Sequence, residues 1–373
     1  MTQVALVWYI YQRTKSPTEL GFFLLTYSGP VIIGGILAGI LLDRFDRRKV
    51  MIADNLFRGL VVGLVPIMAS FGYLALWELY VVSGIYGFLK MIPLAGTPSI
   101  IPDMVDEEGL SAANSLETIG YTVAGVLGPV LAGILISHVG PTGVMAFDAI
   151  SYGVFAVSLL MIRIPSPADY SKAGKQKAGV GQAVMLLRSN VVLLSTTIMF
   201  FVFNFGFGFF SVWLPVFVSR LPGGGAATYG VILGVLAIGE LVGSILSGVV
   251  LMKIPTGARI CIAQFLSGIS LLLVFLGTST AVLGTAVFAM GVISAPLTVW
   301  AQTLRMKIIP GELRGRTFAL LRTLMQSSGP LANGIAGLCL PATGIVGMLI
   351  LSAALIALPG VLGYQVRTLR TAA

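Results

Sequence analysis

Long apolar runs separated by short polar turns set the pattern of this 373-residue chain. The runs fall at about 20 to 42, 49 to 70, 74 to 97, 110 to 137, 141 to 163, 190 to 218, 228 to 252, 259 to 277, 280 to 304, 317 to 340 and 342 to 365. Each approaches the roughly 20 residues that cross a bilayer as a helix, the form that closes its backbone hydrogen bonds within one segment. Before them stands only Val4-Ala5-Leu6-Val7-Trp8-Tyr9-Ile10-Tyr11, too short for a span. No basic segment precedes it and no small-residue cleavage site follows, which argues against a signal peptide. The expectation is that the chain begins inside its first helix, and counting that piece as span 1 gives twelve. The pattern therefore predicts an all-α polytopic membrane protein of two pseudo-symmetric six-helix bundles with an incomplete first helix.

The long polar stretch at 164 to 189, with Pro165, Pro167, Lys172, Lys175 and Lys177, is expected to link a first bundle at 1 to 163 to a second at 190 to 373. The halves repeat weakly: Gly35, Gly39, Arg44 and Lys49 recur as Gly243, Gly248, Lys253 and Arg259. Such repeats build many secondary transporters. Of the 23 Lys and Arg, 18 fall in the loops after spans 2, 6, 8 and 10 and at the C-terminus. Arg13, Lys15 and Arg220 lie on the other side. Positive loops are retained in the cytoplasm, so both termini are expected there.

Composition agrees with this class, since charged residues make up 10% of the chain and mean hydropathy is +0.98, against roughly 25% charged in a soluble domain. The 46 glycines suit close helix packing in lipid. A net charge of +9 spread over short loops argues against nucleic-acid binding. Cys261 and Cys339 lie in apolar runs, and the sole histidine, His138, sits in a loop. Neither a metal site nor a cofactor is expected. No His-Glu-x-x-His or other catalytic constellation is present, so an enzyme is not expected either.

Gly39-x-x-x-Asp43-Arg44-x-x-Arg47-Arg48 resembles the signature loop of the major facilitator superfamily. Asp46 stands where that family usually has Gly, and Asp tolerates a left-handed turn better than most residues. Ser115-x8-Ala124-x3-Gly128-Pro129-x2-Ala132-Gly133 in span 5 is similar to the motif of its proton-coupled exporters. Thr14-x-Ser16-Pro17, Asp54-x-x-x-Arg58, Ile101-Pro102-Asp103-Met104-Val105, Ala113-Asn114 and Gly315-Arg316 resemble the macrolide-efflux and enterobactin-exporter group. The resemblance implies the major facilitator fold, with spans 1, 4, 7 and 10 lining a central cavity.

Glu240 lies about eleven residues into span 8, or roughly 17 Å at 1.5 Å per residue, close to the midplane. A carboxylate there is costly when charged, which makes it the first proton-coupling candidate, ahead of Asp148 and Glu117. Asp54 and Arg58, four apart with the acid first, are expected to form a structural ion pair. Lys90 and Glu117 reach similar depth on spans 4 and 5 and are expected to form a second. Span 7 crowds aromatics around Asn204, so Phe203, Asn204 and Phe207 are cavity candidates, joined by Trp300 and Gln302 of span 10. Asp103, Asp106, Glu107 and Glu108 face a basic counterpart, Arg314 and Arg316 with Arg305, Lys307 and Arg322, and are expected to form a cytoplasmic gate.

These readings together predict a multi-pass protein of the bacterial inner membrane, acting as a monomer, that exports a bulky, largely apolar, drug-like compound by alternating access and proton antiport. Its expected partners are the small-molecule substrate, protons and the lipid bilayer. A siderophore exporter of the same fold is the alternative, and a non-transporting receptor or assembly factor on a transporter scaffold is the rival from another class.

Overall fold

A computed structural model describes residues 1–106, 108–161, 180–249, 254–310 and 313–372. These residues form helices and turns with no strand. The elements are α1 (Thr2–Thr14), α2 (Pro17–Ser28), α3 (Pro30–Arg44), α4 (Arg47–Ser70), α5 (Leu76–Leu89), α6 (Met91–Met104), α7 (Leu110–Met161), α8 (Val180–Ser189), α9 (Val191–Arg220), α10 (Ala226–Val249), α11 (Thr256–Leu271), α12 (Thr280–Ile308), α13 (Arg314–Gln365) and α14 (Arg367–Arg370), with a 3₁₀ turn at Leu272–Leu276 after α11.

Helix starts follow local chemistry. Ser16, Asp46, Asn190 and Ser279 each accept a backbone N–H at the start of α2, α4, α9 and α12, satisfying a donor that the helix itself leaves open. Asp46 thus serves as a cap with φ −56°, not in the left-handed turn expected for it. Its carboxylate takes the Lys49 N–H at 3.0 Å, which needs the extended side of the backbone map.

Nine helical stretches among the described residues are long and apolar enough to cross a membrane. Two of them, in α7 and α13, belong to helices of 52 residues, or about 78 Å at 1.5 Å per residue, against a hydrocarbon core of roughly 30 Å. Each is broken where a glycine takes a left-handed backbone, Gly140 with φ 72° and Gly344 with φ 67°. The breaks lie at the same distance into the two helices, so each long helix supplies two spans; Gly140 falls between two of the apolar runs, while Gly344 falls just inside the run at 342 to 365.

The chain divides into two compact units, Met1–Lys175 with Gly225–Gly230, and Gln176–Gly224 with Val231–Ala373. Helix α8 occupies the end of the expected linker. Its Ala183 and Leu187, four apart, form a buried apolar stripe, and Leu187 packs with Leu193, Ile309 and Leu321. Residues 180–189 are therefore part of the second unit, while the linker residues before 180 lie outside the described residues.

In the first unit the central packing is between α2–α3 and α5–α6. A Cβ at Gly87 would run into the Tyr27 carbonyl, and one at Gly34 into the Phe88 carbonyl, so backbones touch directly along this seam. Small residues permit such approach in lipid, where apolar burial by itself does not drive helices together. The same span that carries Gly87 is interrupted at Lys90, between α5 and α6, and Pro93 follows. Proline has no N–H, so the Leu89 carbonyl four residues earlier loses its helical donor. Arg58 of α4 supplies a replacement, its Nη2 donating to Leu89 O at 2.6 Å. The guanidinium is held for that role by Asp54, one turn earlier on α4, at 2.8 and 2.9 Å.

In the second unit α9 packs along α13. Gly206 lies against Ile356, Leu355 and the Ser352 carbonyl, and Gly208 against Ala332. The fully buried Trp213 donates from Nε1 to Ser352 Oγ at 2.9 Å. Helix α10 seats Gly239 and Gly243 on the Phe288 and Val292 carbonyls of α12.

Two stability predictions follow from the first unit. Gly87→Leu forces the α2–α5 seam apart and should cost about 1–3 kcal/mol or more as overpacking, whereas Gly125→Leu, with open space at its Cβ, should be tolerated. Monodisperse yield in detergent size exclusion separates the two, and equal yields would refute the seam. Arg58→Met should cost about 3–5 kcal/mol by stranding the buried Asp54. Adding Asp54→Asn should recover most of it, and adding Pro93→Ala should return about 1 kcal/mol more by restoring the donor to Leu89 O. The check is thermal stability of all three variants; no gain from Pro93→Ala would show that the carbonyl was never the issue.

Candidate functional site

The first unit gathers a polar and aromatic cluster from α1, α2, α4, α5 and α7. Arg58 is 4% exposed, and its guanidinium lies 5.4 Å from the Tyr86 ring centre and 5.6 Å from that of Tyr152. The hydroxyls of those two tyrosines meet at 2.8 Å. Tyr86 stacks on Tyr27 at 5.8 Å, and the Tyr27 hydroxyl donates to Gln3 Oε1 at 3.1 Å. Beyond the rings, Asp148 accepts from the Thr2 N–H at 2.8 Å, from the Thr2 hydroxyl and from Ser151. Lys90 sits at the other edge, its ammonium 5.6 Å over the Tyr27 ring. Cations attract aromatic faces, more strongly where water is excluded. Arg58 Nε is buried and has no hydrogen-bond partner among the described residues.

The expected Asp54–Arg58 pair is formed and is the buried centre of this cluster. The expected Lys90–Glu117 pair is not. Lys90 turns to Tyr27, and the half-buried Glu117 makes no ion pair among the described residues. Equal depth was read from residue counts, but pairing also needs the two helices rotated toward each other.

Around the signature loop, Gly39 and Arg44 are exposed and Arg47 opens α4. Arg48 donates to the Leu159 and Leu160 carbonyls, both at 2.7 Å, at the end of α7. A cation there complements the helix dipole. The Asp43 side chain lies outside the described residues. In the span-5 motif a Cβ at Gly133 would meet Ala226, Ala227 and Gly230, while Gly128 faces open space. Pro129 lends its carbonyl to the same contact, beneath Gly230.

Glu240 is exposed on α10 and makes no hydrogen bond or ion pair among the described residues. Asn204 is committed within its unit, its Nδ2 donating to Met325 O at 3.0 Å. Phe203 and Phe207 are half-buried, whereas Phe209, Phe210 and Trp213 are core residues. Trp300 packs partly buried beside Phe200, Leu297 and Ala301, and Gln302 is exposed. Of the expected gate, Asp106 and Glu108 are exposed. Glu107 and the side chains of Asp103, Arg314 and Arg316 lie outside the described residues. Arg305 is not a loop residue: it is 4% exposed within α12, stacked 4.8 Å over Phe200, with Nη2 donating to Thr196 O at 3.3 Å.

Sequence reasoning missed Tyr27, Tyr86 and Tyr152. A signal existed for one link of their cluster: Pro93 orphans Leu89 O, and a buried arginine is the kind of donor that replaces a lost N–H.

Comparison with known proteins places this arrangement. The Major Facilitator Superfamily matches residues 1–333. Macrolide efflux protein A of Streptococcus pyogenes is 24% identical, over 95% of this chain and 88% of that protein. The multidrug efflux pump Tap of Mycolicibacterium fortuitum is 23% identical, over 92% and 86%. Among solved structures, the nucleoside transporter NupG superposes with a TM-score of 0.75 at 13% identity, covering 98% of this chain and 94% of its own. With the family matched over most of its length and the all-helical fold shared throughout, the chain belongs to the major facilitator superfamily.

Proposed function

We propose that this transporter exports a bulky, largely apolar compound from a bacterial cytoplasm by alternating access, driven by proton antiport. Both termini are then cytoplasmic, and the working unit is the monomer in the inner membrane. The relatives named for macrolide and multidrug efflux support the direction and the substrate class. The half-buried rings of Phe203 and Phe207 offer stacking surface to such a compound.

Glu240 carries the coupling. It is a carboxylate in the middle of a 23-residue apolar span, exposed on its unit and without a partner among the described residues. Facing lipid, it would bear the full cost of a buried charge; facing an aqueous pathway, it can take up and release a proton as access alternates. Asp148, which accepts three hydrogen bonds from Thr2 and Ser151, stands second, with Glu117 third.

Glu240→Gln keeps shape and hydrogen bonding but has no titratable proton to take up and release. In proteoliposomes with an imposed pH gradient it should fold and bind substrate normally, lose uphill transport of an erythromycin or rhodamine 6G probe by at least about tenfold, and retain downhill exchange. Uphill, protonophore-sensitive transport by the Gln variant would move the coupling to Asp148. Absence of any transport by the unaltered protein would favour the receptor or assembly-factor reading.

A further inference from the structure

Lys90 is a cation without a counter-ion among the described residues, deep in an apolar span. It lies seven residues before the end of Leu76–Thr97, about 10 Å along a helix at 1.5 Å per residue. A lysine at such depth ordinarily snorkels to the interface or pairs with an acid. Here the ammonium lies over the Tyr27 ring. The acids that face this cluster are taken: Asp54 is bound twice by Arg58, and Asp148 is bound by Thr2 and Ser151. Glu117 does not reach it. Arg58, on the neighbouring α4, is close enough to act on Lys90 electrostatically, and as a like charge it makes the missing anion more costly still.

The surroundings are arranged to receive one. Lys90 is exposed on the surface of its unit, so a ligand can approach it. Gln3, also exposed, uses Oε1 to accept from Tyr27 and has no partner for its amide nitrogen among the described residues. Tyr27, itself buried, holds Gln3 through its hydroxyl and carries the Lys90 ammonium over its ring. An ammonium and an amide N–H held by one tyrosine match a carboxylate.

We propose that Lys90, with Gln3 and Tyr27, binds an acidic group on the transported molecule, so that the substrate is an apolar compound carrying a carboxylate. This deepens the exporter reading and rests on it for the ligand's being cargo.

The probes are fluorescein, an anion, and rhodamine 6G, a cation on the same xanthene frame. Binding is followed by anisotropy to the full chain in phosphatidylcholine nanodiscs, with empty nanodiscs subtracted. The unaltered protein should bind fluorescein, Lys90→Gln should weaken it at least about tenfold while sparing rhodamine 6G, and Lys90→Arg should retain it, as expected for one charge-assisted contact. Gln3→Leu should give a smaller loss with the same selectivity, and it tests the site should Lys90→Gln fail to fold. Equal fluorescein binding by Lys90→Gln and the unaltered protein, or no fluorescein binding by the latter, overturns the proposal. So does displacement of fluorescein when phosphatidylglycerol replaces part of the lipid, since the anion would then be a headgroup. Lys90-dependent binding without movement of either dye in proteoliposomes keeps the site and refutes the exporter reading. Movement of rhodamine 6G without fluorescein binding does the reverse.

Discussion

A backbone carbonyl in hydrocarbon has no water to turn to, and the first unit is organised around one that lost its partner. Pro93 removes the donor for Leu89 O, and Arg58 restores it. A guanidinium brought to that depth needs an acid, which Asp54 supplies from the preceding turn, and it needs surfaces that tolerate its charge, which Tyr86 and Tyr152 supply. Each requirement creates the next. The cluster that results, running from Asp148 through three tyrosines to Lys90, is the densest polar feature at mid-span in its unit.

Close packing makes that chain of requirements geometrically possible. Gly34 and Gly87 let the spans carrying Tyr27 and Tyr86 touch backbone to backbone, which sets those rings in stacking distance of each other. Larger side chains on that seam would separate the helices and remove the platform on which Lys90 rests. In the second unit the same device, glycines on α9, α10 and α11 against neighbouring backbone or Cβ atoms, instead surrounds a mainly apolar core in which the buried Trp213 and Gln264 and the half-buried Asn204 are tied to neighbouring helices. The first unit buries an ion pair, Asp54 with Arg58, whereas in the second Arg305 is the one buried charged residue among the described residues.

Much of the architecture was legible in advance, because bilayer thickness converts directly into run length and Gly140 falls between runs already separated by pattern, whereas the break at Gly344 falls just inside a run. The Asp54–Arg58 pair was legible for a related reason: both partners lie on one helix, where a four-residue spacing fixes geometry. Lys90 and Glu117 show the limit. Counting residues gives depth but not rotation, and Lys90 points to a tyrosine on a different span. Arg305 shows another, since its position near the end of an apolar run suggested a loop, while α12 continues past it and buries it against Phe200.

The sequence by itself determined what is one-dimensional here: the all-helical class and its apolar runs, the charge of the turns, and the pairing of residues within a turn of each other. Only the tertiary structure decided which side chains from different spans share a site. Tyr27, Tyr86 and Tyr152 are 59 and 66 residues apart in sequence and carry no spacing that links them. Their meeting depends on the rotation and approach of separate helices, and that is set by where glycine allows contact and where an orphaned carbonyl demands a donor, both of which take effect only once the helices are packed.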